Sequence, residues 1–254
     1  MKQPTLLFAA LAALVASSTI GLAQVPTLSF KSAAKRTAVV ELYTSEGCSS
    51  CPPADRWFSS LKAAPGLFQN FVPVAFHVDY WDDLGWKDRF ARSAYSERQR
   101  LYAQSGALSQ VYTPGFLLQG HEWRTWSSGA VALQSDGASV GPLELTLDGH
   151  GGATLRWWPA REPTARLLGT LMLLGNELSS AVRSGENAGH QLHHDFVALA
   201  YSSGAMVRDN DHYSVSLKMP ASSTLAPRYA VAAWVNDASR LAPLQAVGGW
   251  LAAP

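Results

Sequence analysis

The sequence has few charged residues and few cysteines. Only 15% of its 254 residues are charged, and basic and acidic residues nearly balance, which leaves a formal net charge of +1. Such a chain lacks the strongly basic surface that would attract nucleic acid, so we expect no nucleic-acid partner. Two cysteines are too few for a small scaffold stabilised by disulfides.

Long apolar runs are absent as well, except at the N-terminus. Lys2 is followed by an apolar stretch over residues 6–15 and by small residues at 21–23. This order is typical of a secretory signal peptide, predicted over residues 1–23. The stretch is shorter than the roughly 20 residues of a membrane span. We therefore expect a periplasmic or secreted protein with no stable membrane span after cleavage; a single membrane anchor is the alternative.

Cys48 and Cys51 form a Cys-x-x-Cys motif. A β-prone run over 38–44 precedes the motif, and a helix-like stretch from about 50 to 63 follows it. This order is typical of redox-active dithiols, because the N-terminus of a helix favours the reactive thiolate. Cys48 is the predicted nucleophile and Cys51 the resolving thiol. An inactive pair and a dithiol that only binds metal are the alternatives.

The first half of the chain alternates between strand-like and helix-like stretches. An apolar strand at 71–78 is followed by a helix at about 87–104 and a strand at 115–119. This alternation predicts an α/β domain over 37–128. Residues 24–36 are polar without periodicity, which indicates a mobile leader.

The second half has a different pattern. Short alternating stretches are separated by turn signals, which is typical of antiparallel strands. We therefore predict a β-rich, sandwich-like domain over 140–254. The strand candidates are 144–147, 153–157, 166–175, 194–201, 213–218 and 229–235.

His77 ends an apolar strand near the expected position of the dithiol. It is either an ordinary core residue or a third ligand, with Cys48 and Cys51, for a soft metal such as Cu(I). In the first case the protein needs no cofactor. Trp81 and Trp86 lie in the aromatic, acidic loop that follows, and they either line a substrate groove or pack a rigid loop.

Two polar groups in the second half have open interpretations. Three histidines with the spacing His-x-x-His-His lack the glutamate of a zinc-protease motif, so a metal site is the less favoured interpretation. Glu186 and Asn187, which lie in a glycine-flanked loop, either fix a turn or contact the first half of the chain. The three histidines are His190, His193 and His194.

Four segments resemble DUF1223, a family of secreted proteins of unknown function with a thioredoxin-like fold. The resemblance covers most of the chain after residue 23, and the first two segments are the most specific. The segments are residues 44–55, 75–88, 97–114 and 185–194.

The resemblance implies a thioredoxin-like fold for residues 37–128 and assigns roles to further residues. Pro114 matches the position of a cis-proline that faces the dithiol, and Thr113 before it would contact substrate. Glu41 corresponds to a buried acid that moves protons, although its spacing from Cys48 is one residue longer than usual. We expect an exported thiol–disulfide oxidoreductase that acts on a protein or thiol substrate. The alternatives are a copper-binding protein and a redox-inactive thioredoxin-like scaffold.

Overall fold

The computed structural model describes residues 27–127, 133 and 136–251. The predicted signal peptide, residues 1–23, lies outside these ranges. Within them, neither helix has the length and hydropathy that crossing a membrane requires. Part of the predicted leader is ordered in a strand, Leu28–Lys31.

The described part of the chain contains two α-helices, a short 3-10 helix (Leu61–Ala63) and fifteen strands. The helices are α1 (Pro52–Ser60) and α2 (Ser93–Gln104). Prolines in the first turn of α1 lose no helical hydrogen bond. The strands are β1 (Leu28–Lys31), β2 (Ala38–Thr44), β3 (Phe71–His77), β4 (Gly115–Leu118), β5 (His121–Glu122), β6 (Leu143–Leu147), β7 (Gly152–Trp157), β8 (Leu167–Asn176), β9 (Leu178–Ala181), β10 (Gln191–His194), β11 (Val197–Ala205), β12 (Val207–Asp209), β13 (His212–Lys218), β14 (Arg228–Asp237) and β15 (Pro243–Trp250).

An eight-stranded mixed sheet is the centre of the fold, with the strand order β15-β14-β8-β11-β3-β2-β4-β5. Strand β3 is parallel to both of its neighbours, β2 and β11, and the other pairs are antiparallel. Every residue of β2 and of β3 is buried, as expected for central strands covered on both faces. The dithiol therefore follows a rigid strand.

The predicted fold class, an α/β thioredoxin-like N-terminal domain followed by an antiparallel β-rich domain, is wrong. The chain is mostly β-structure in several sheets, with two short helices and no thioredoxin-like α/β arrangement. The physical cause is the pairing of β3 with β11, where Val197 lies opposite Ala75. This pairing joins strands of both halves into one sheet.

A second sheet covers part of the first. It has five strands in the order β1-β6-β7-β13-β12. Successive residues of β14 point to opposite faces, so Ala232 and Trp234 belong to one hydrophobic core and Val231 and Val235 to another. The second core contains the apolar residues of the five-stranded sheet. A separate hairpin, β9–β10, packs against α1 beside the dithiol.

Candidate functional site

Both cysteines lie in the connection between β2 and α1, and both are free thiols. Cys51 is the N-cap residue of α1, and its backbone N–H donates to the carbonyl of Cys48 at 3.2 Å. The exposed fraction is 1% for Cys48 and 0% for Cys51. Ser49 and Ser50 between them are exposed, so solvent reaches the motif from their side.

The two thiols differ in acidity. A hydrogen bond from the Cys51 thiol lowers the pKa of Cys48 to about 6, although burial acts in the opposite direction. Ser50 Oγ, 3.2 Å from the sulfur of Cys48, contributes in the same direction as the thiol. Burial raises the pKa of Cys51 well above its usual value, and its hydrogen bond to Cys48 adds to the increase. The sequence predicted an effect of the helix N-terminus; the largest cause found is the hydrogen bond from Cys51, and Cys48 itself lies three residues before the N-cap of α1.

Three residues predicted to contact substrate or face the dithiol lie beside Cys48. The Thr113–Pro114 peptide bond is cis, and the carbonyl oxygen of Thr113 is 3.9 Å from the sulfur of Cys48. Trp81 Nε1 donates to Thr113 Oγ1 at 2.8 Å. A Cβ on Gly47 would lie 3.1 Å from the Cβ of Trp81, so the tryptophan closely contacts the motif.

Trp86 is placed differently. Its Nε1 donates to Glu46 Oε2 at 2.8 Å, and Gly185 packs closely against its backbone and Cβ. Because its polar atom is bound to a buried carboxylate, Trp86 anchors the loop instead of presenting a donor to a substrate.

Glu41 belongs to a separate buried polar cluster. Its carboxylate, which is fully buried, accepts two hydrogen bonds from Arg98, both at 2.9 Å. The hydroxyls of Tyr43 and Tyr102 donate to it at 2.9 and 2.7 Å. These four bonds engage both carboxylate oxygens of Glu41, and none of them involves Cys48 or Cys51.

His77 points into a buried acidic environment. Its Nδ1 is 2.6 Å from Asp88 Oδ2, and its ring lies 4.8 Å from that of His194. Burial opposes protonation of His77, but the charge of Asp88, its hydrogen bond to the ring and the charges of Asp55 and Glu46 together raise the pKa of the ring. Within residues 27–127, 133 and 136–251, no group of three or more histidines, cysteines, aspartates and glutamates is arranged to hold a metal ion.

Five ionisable side chains form what we call the buried acid–histidine cluster. His194 Nε2 is 3.3 Å from Glu46 Oε1, and His194 Nδ1 is 3.9 Å from Asp55 Oδ2. Each member is at most 6% exposed. Sequence reasoning identified His77 and His194 separately but missed the cluster as a unit. Its members are Glu46, Asp55, His77, Asp88 and His194.

The loop between β9 and β10 lies over the Cys-x-x-Cys segment. Asn187 Nδ2 donates to the backbone carbonyls of Glu46 and Cys48, at 2.8 and 3.0 Å. Glu186 Oε2 accepts the backbone N–H of Ser49 at 3.0 Å. Of the two interpretations open from the sequence, the contact with the first half of the chain is the one observed.

Two solved structures are similar to this chain in fold. Protein AGR_C_4864 from Agrobacterium tumefaciens aligns with a TM-score of 0.59 and 23% identity, over 83% of this chain and 92% of its own. HBP35 of Porphyromonas gingivalis aligns with a TM-score of 0.58 and 16% identity, over 85% and 76%. At these identities the likeness concerns the fold alone.

No curated protein matches the chain. The profile of the family described as "Protein of unknown function (DUF1223)" matches residues 39–236, which include the dithiol, the Trp81–Trp86 loop and the β9–β10 hairpin. The resemblance that the sequence segments indicated is thereby confirmed, and the chain belongs to the DUF1223 family.

Proposed function

We propose that this protein catalyses thiol–disulfide exchange through Cys48 and Cys51. The observation that carries the proposal is the placement of two free, hydrogen-bonded thiols at the start of α1, with exposed Ser49 and Ser50 between them. The pKa of Cys48, lowered to about 6, and the raised pKa of Cys51 agree with this role. At neutral pH such a pair supplies one thiolate, which is the nucleophile, and one protonated thiol, which can later resolve the mixed disulfide.

The chemistry follows from this difference. The Cys48 thiolate attacks one sulfur of a partner disulfide, and the partner's other sulfur leaves as a thiolate. Cys51 then attacks the Cys48 sulfur, and the second partner thiolate leaves. Cys48 and Cys51 end as a disulfide, and the partner has gained two electrons. The reverse sequence oxidises a partner dithiol.

The surroundings of Cys48 suit an extended partner. Thr113 has its backbone carbonyl near the sulfur, and its hydroxyl accepts a hydrogen bond from Trp81, while exposed Ser49 and Ser50 leave the approach open. We propose an exported protein or a small thiol as the partner, in the periplasm or outside the cell, in keeping with the predicted signal peptide.

A redox titration tests this function. The reduced protein is equilibrated with glutathione buffers of graded potential, and free thiols are counted by mass after alkylation. Because the chain has two cysteines, the mass of each product shows directly how many thiols are free, paired or bound to glutathione. We expect both thiols to disappear together in a two-electron transition. The Cys51→Ser variant should instead accumulate a mixed disulfide between Cys48 and glutathione. The Cys48→Ser variant should show no two-electron transition. Thiols that never pair within the chain would overturn the proposal.

A further inference from the structure

Cys51 has no exposed surface, and burial raises the pKa of its thiol. It must nevertheless give up its proton in order to attack the mixed disulfide on Cys48. Since bulk water does not reach a fully buried sulfur, the proton needs an acceptor inside the protein. The largest electrostatic effects on Cys51, or exerted by it, involve the titratable groups Cys48, Asp55 and Tyr80.

Two of these groups cannot accept the proton. In the mixed disulfide the sulfur of Cys48 is bonded to the partner and has no proton to exchange. Tyr80 is a neutral phenol whose pKa is raised by burial and by the charges of the cysteines, and its hydroxyl donates to Gln99 at 3.1 Å. Asp55 remains as the acceptor.

Asp55 is well placed for this role. It lies in the first turn of α1, four residues after Cys51, and residues at this spacing share one face of a helix. Its backbone N–H donates to the Cys51 carbonyl at 3.0 Å. The side chain is 6% exposed, and among the described residues Oδ2 has no hydrogen-bond partner. A buried carboxylate oxygen without a donor is a ready proton acceptor.

The remaining groups around Asp55 set its charge state. The pKa of Asp55 lies above its usual value, because burial raises it by more than the charges of His194 and His77 lower it. Nδ1 of His194 is 3.9 Å from Oδ2 of Asp55, and Nε2 of His194 is 3.3 Å from Oε1 of Glu46. The groups facing Asp55 from the surrounding elements are Thr44 on β2, His77 on β3, Asp88 before α2, His194 on β10, and Cys51 at the start of its own helix.

We propose that Asp55 takes the proton of Cys51 as Cys51 attacks the mixed disulfide, and that His194 keeps Asp55 ionised until then. The inference rests on the proposed function. In the step, the Cys51 S–H bond breaks, its proton passes to the Asp55 carboxylate, a Cys51–Cys48 disulfide forms, and the partner sulfur leaves as a thiolate with the electron pair of the broken bond.

A purely electrostatic role for Asp55 predicts the opposite result, and a structural role would disturb the first phase as well as the second. The negative charge of Asp55 raises the pKa of Cys51, so removing that charge would make the thiol more acidic and the attack faster. Loss of a proton acceptor makes the attack slower, typically by about 10²-fold or more. The sign of the change therefore separates the two roles.

The experiment uses Ellman's reagent, an aromatic disulfide that releases a coloured thiolate at each step. In wild-type protein a first phase reports attack by Cys48 and a second reports resolution by Cys51. We expect Asp55→Asn to leave the first phase unchanged and to slow the second by about 10²-fold. The matched control is Asp195→Asn, since Asp195 is also 6% exposed but pairs with Lys62 outside the cluster; it should leave both phases unchanged.

Each result decides the question. A second phase in Asp55→Asn that is as fast as in wild type, or faster, would overturn the role of Asp55. Wild-type protein with no second phase would overturn the proposed function, and this inference with it. If Asp55→Asn does not fold, His194→Gln is used instead. Losing the histidine's charge raises the pKa of Asp55. The rate of the second phase, plotted against pH, should therefore have its midpoint at a higher pH than in wild type. An unchanged midpoint would contradict the inference.

Discussion

The side-chain amide of Asn187 donates to the backbone carbonyl of Cys48 at 3.0 Å, although the two residues are 139 positions apart in the chain. A second bond from the same nitrogen reaches the carbonyl of Glu46 at 2.8 Å. A residue of the β9–β10 loop thus fixes the backbone on both sides of Gly47. The geometry of the nucleophile depends on the C-terminal half of the chain.

Replacing Asn187 by alanine should lower both stability and the reactivity of Cys48. Two buried carbonyls each lose a hydrogen bond, and that of Cys48 retains only the bond from the Cys51 N–H, so we expect the free energy of unfolding to fall by about 1–3 kcal/mol. Urea unfolding measures the first effect and alkylation of the thiol the second. Asn236→Ala is the matched control, because Asn236 is equally buried and also donates to two backbone carbonyls. It should lose similar stability and leave Cys48 unaffected; equal effects on Cys48 would exclude a specific role for Asn187.

Glu186→Gln should lower the pKa of Cys48 further below about 6. Glutamine retains an acceptor for the N–H of Ser49 but removes a negative charge that disfavours the thiolate. Glu186 is exposed, so we expect a decrease of about half a pKa unit at most, and one that shrinks with added salt. The rate of Cys48 alkylation against pH measures it with Cys51 left in place, since Cys51 is buried and its pKa is raised. Glu97→Gln, an exposed change on α2, is the control. An unchanged or higher pKa would contradict the prediction.

Local patterns in the sequence located most elements of the first half correctly. The predicted strands at 38–44 and 115–119 correspond to β2 and β4. The helix predicted from about residue 87 begins at Ser93. The difference has a physical reason: the preceding residues form a loop that delivers Asp88 to His77 and to the N–H of Glu46.

The arrangement of the strands could not be obtained in the same way. Periodicity shows that β3 is buried on both faces, but it does not identify β11 as the strand beside it. That pairing is set by contacts between residues far apart in the chain, such as Val197 and Ala75. The resemblance therefore implied a fold class that the sheet topology contradicts.

The candidate site was partly predictable for a related reason. Cys48 and Cys51 are evident from spacing, and the structure places Trp81 and Thr113 beside them. The acid–histidine cluster was missed because its members come from separate segments and no motif links them. One feature of the sequence could have indicated the cluster: Asp55 is a carboxylate four residues after Cys51, on the same face of the helix.

The His77–Asp88 pair should make stability depend on pH. The folded-state pKa of His77 is raised above 6.5, so its contribution is fully present below about 6.5 and is lost as pH rises through the higher value. Urea unfolding between about pH 6 and 9 should therefore show declining stability in the Cys48→Ser background, which removes the opposite slope caused by the lowered pKa of Cys48. His77→Gln should abolish the decline. A slope that persists in this variant would assign it to another group.

Glu41→Gln should destabilise the protein without changing its redox chemistry. The variant leaves the Arg98 guanidinium, which is largely buried, without its carboxylate partner, and breaking such a pair costs about 3–5 kcal/mol. Urea unfolding measures the loss, and a double-mutant cycle with Arg98→Met should show strong coupling, since removing both charges leaves none unpaired. The two phases with Ellman's reagent should match those of wild type. A slower second phase would instead support the proton-moving role that the family resemblance implied for Glu41, and would transfer to it the task we assign to Asp55.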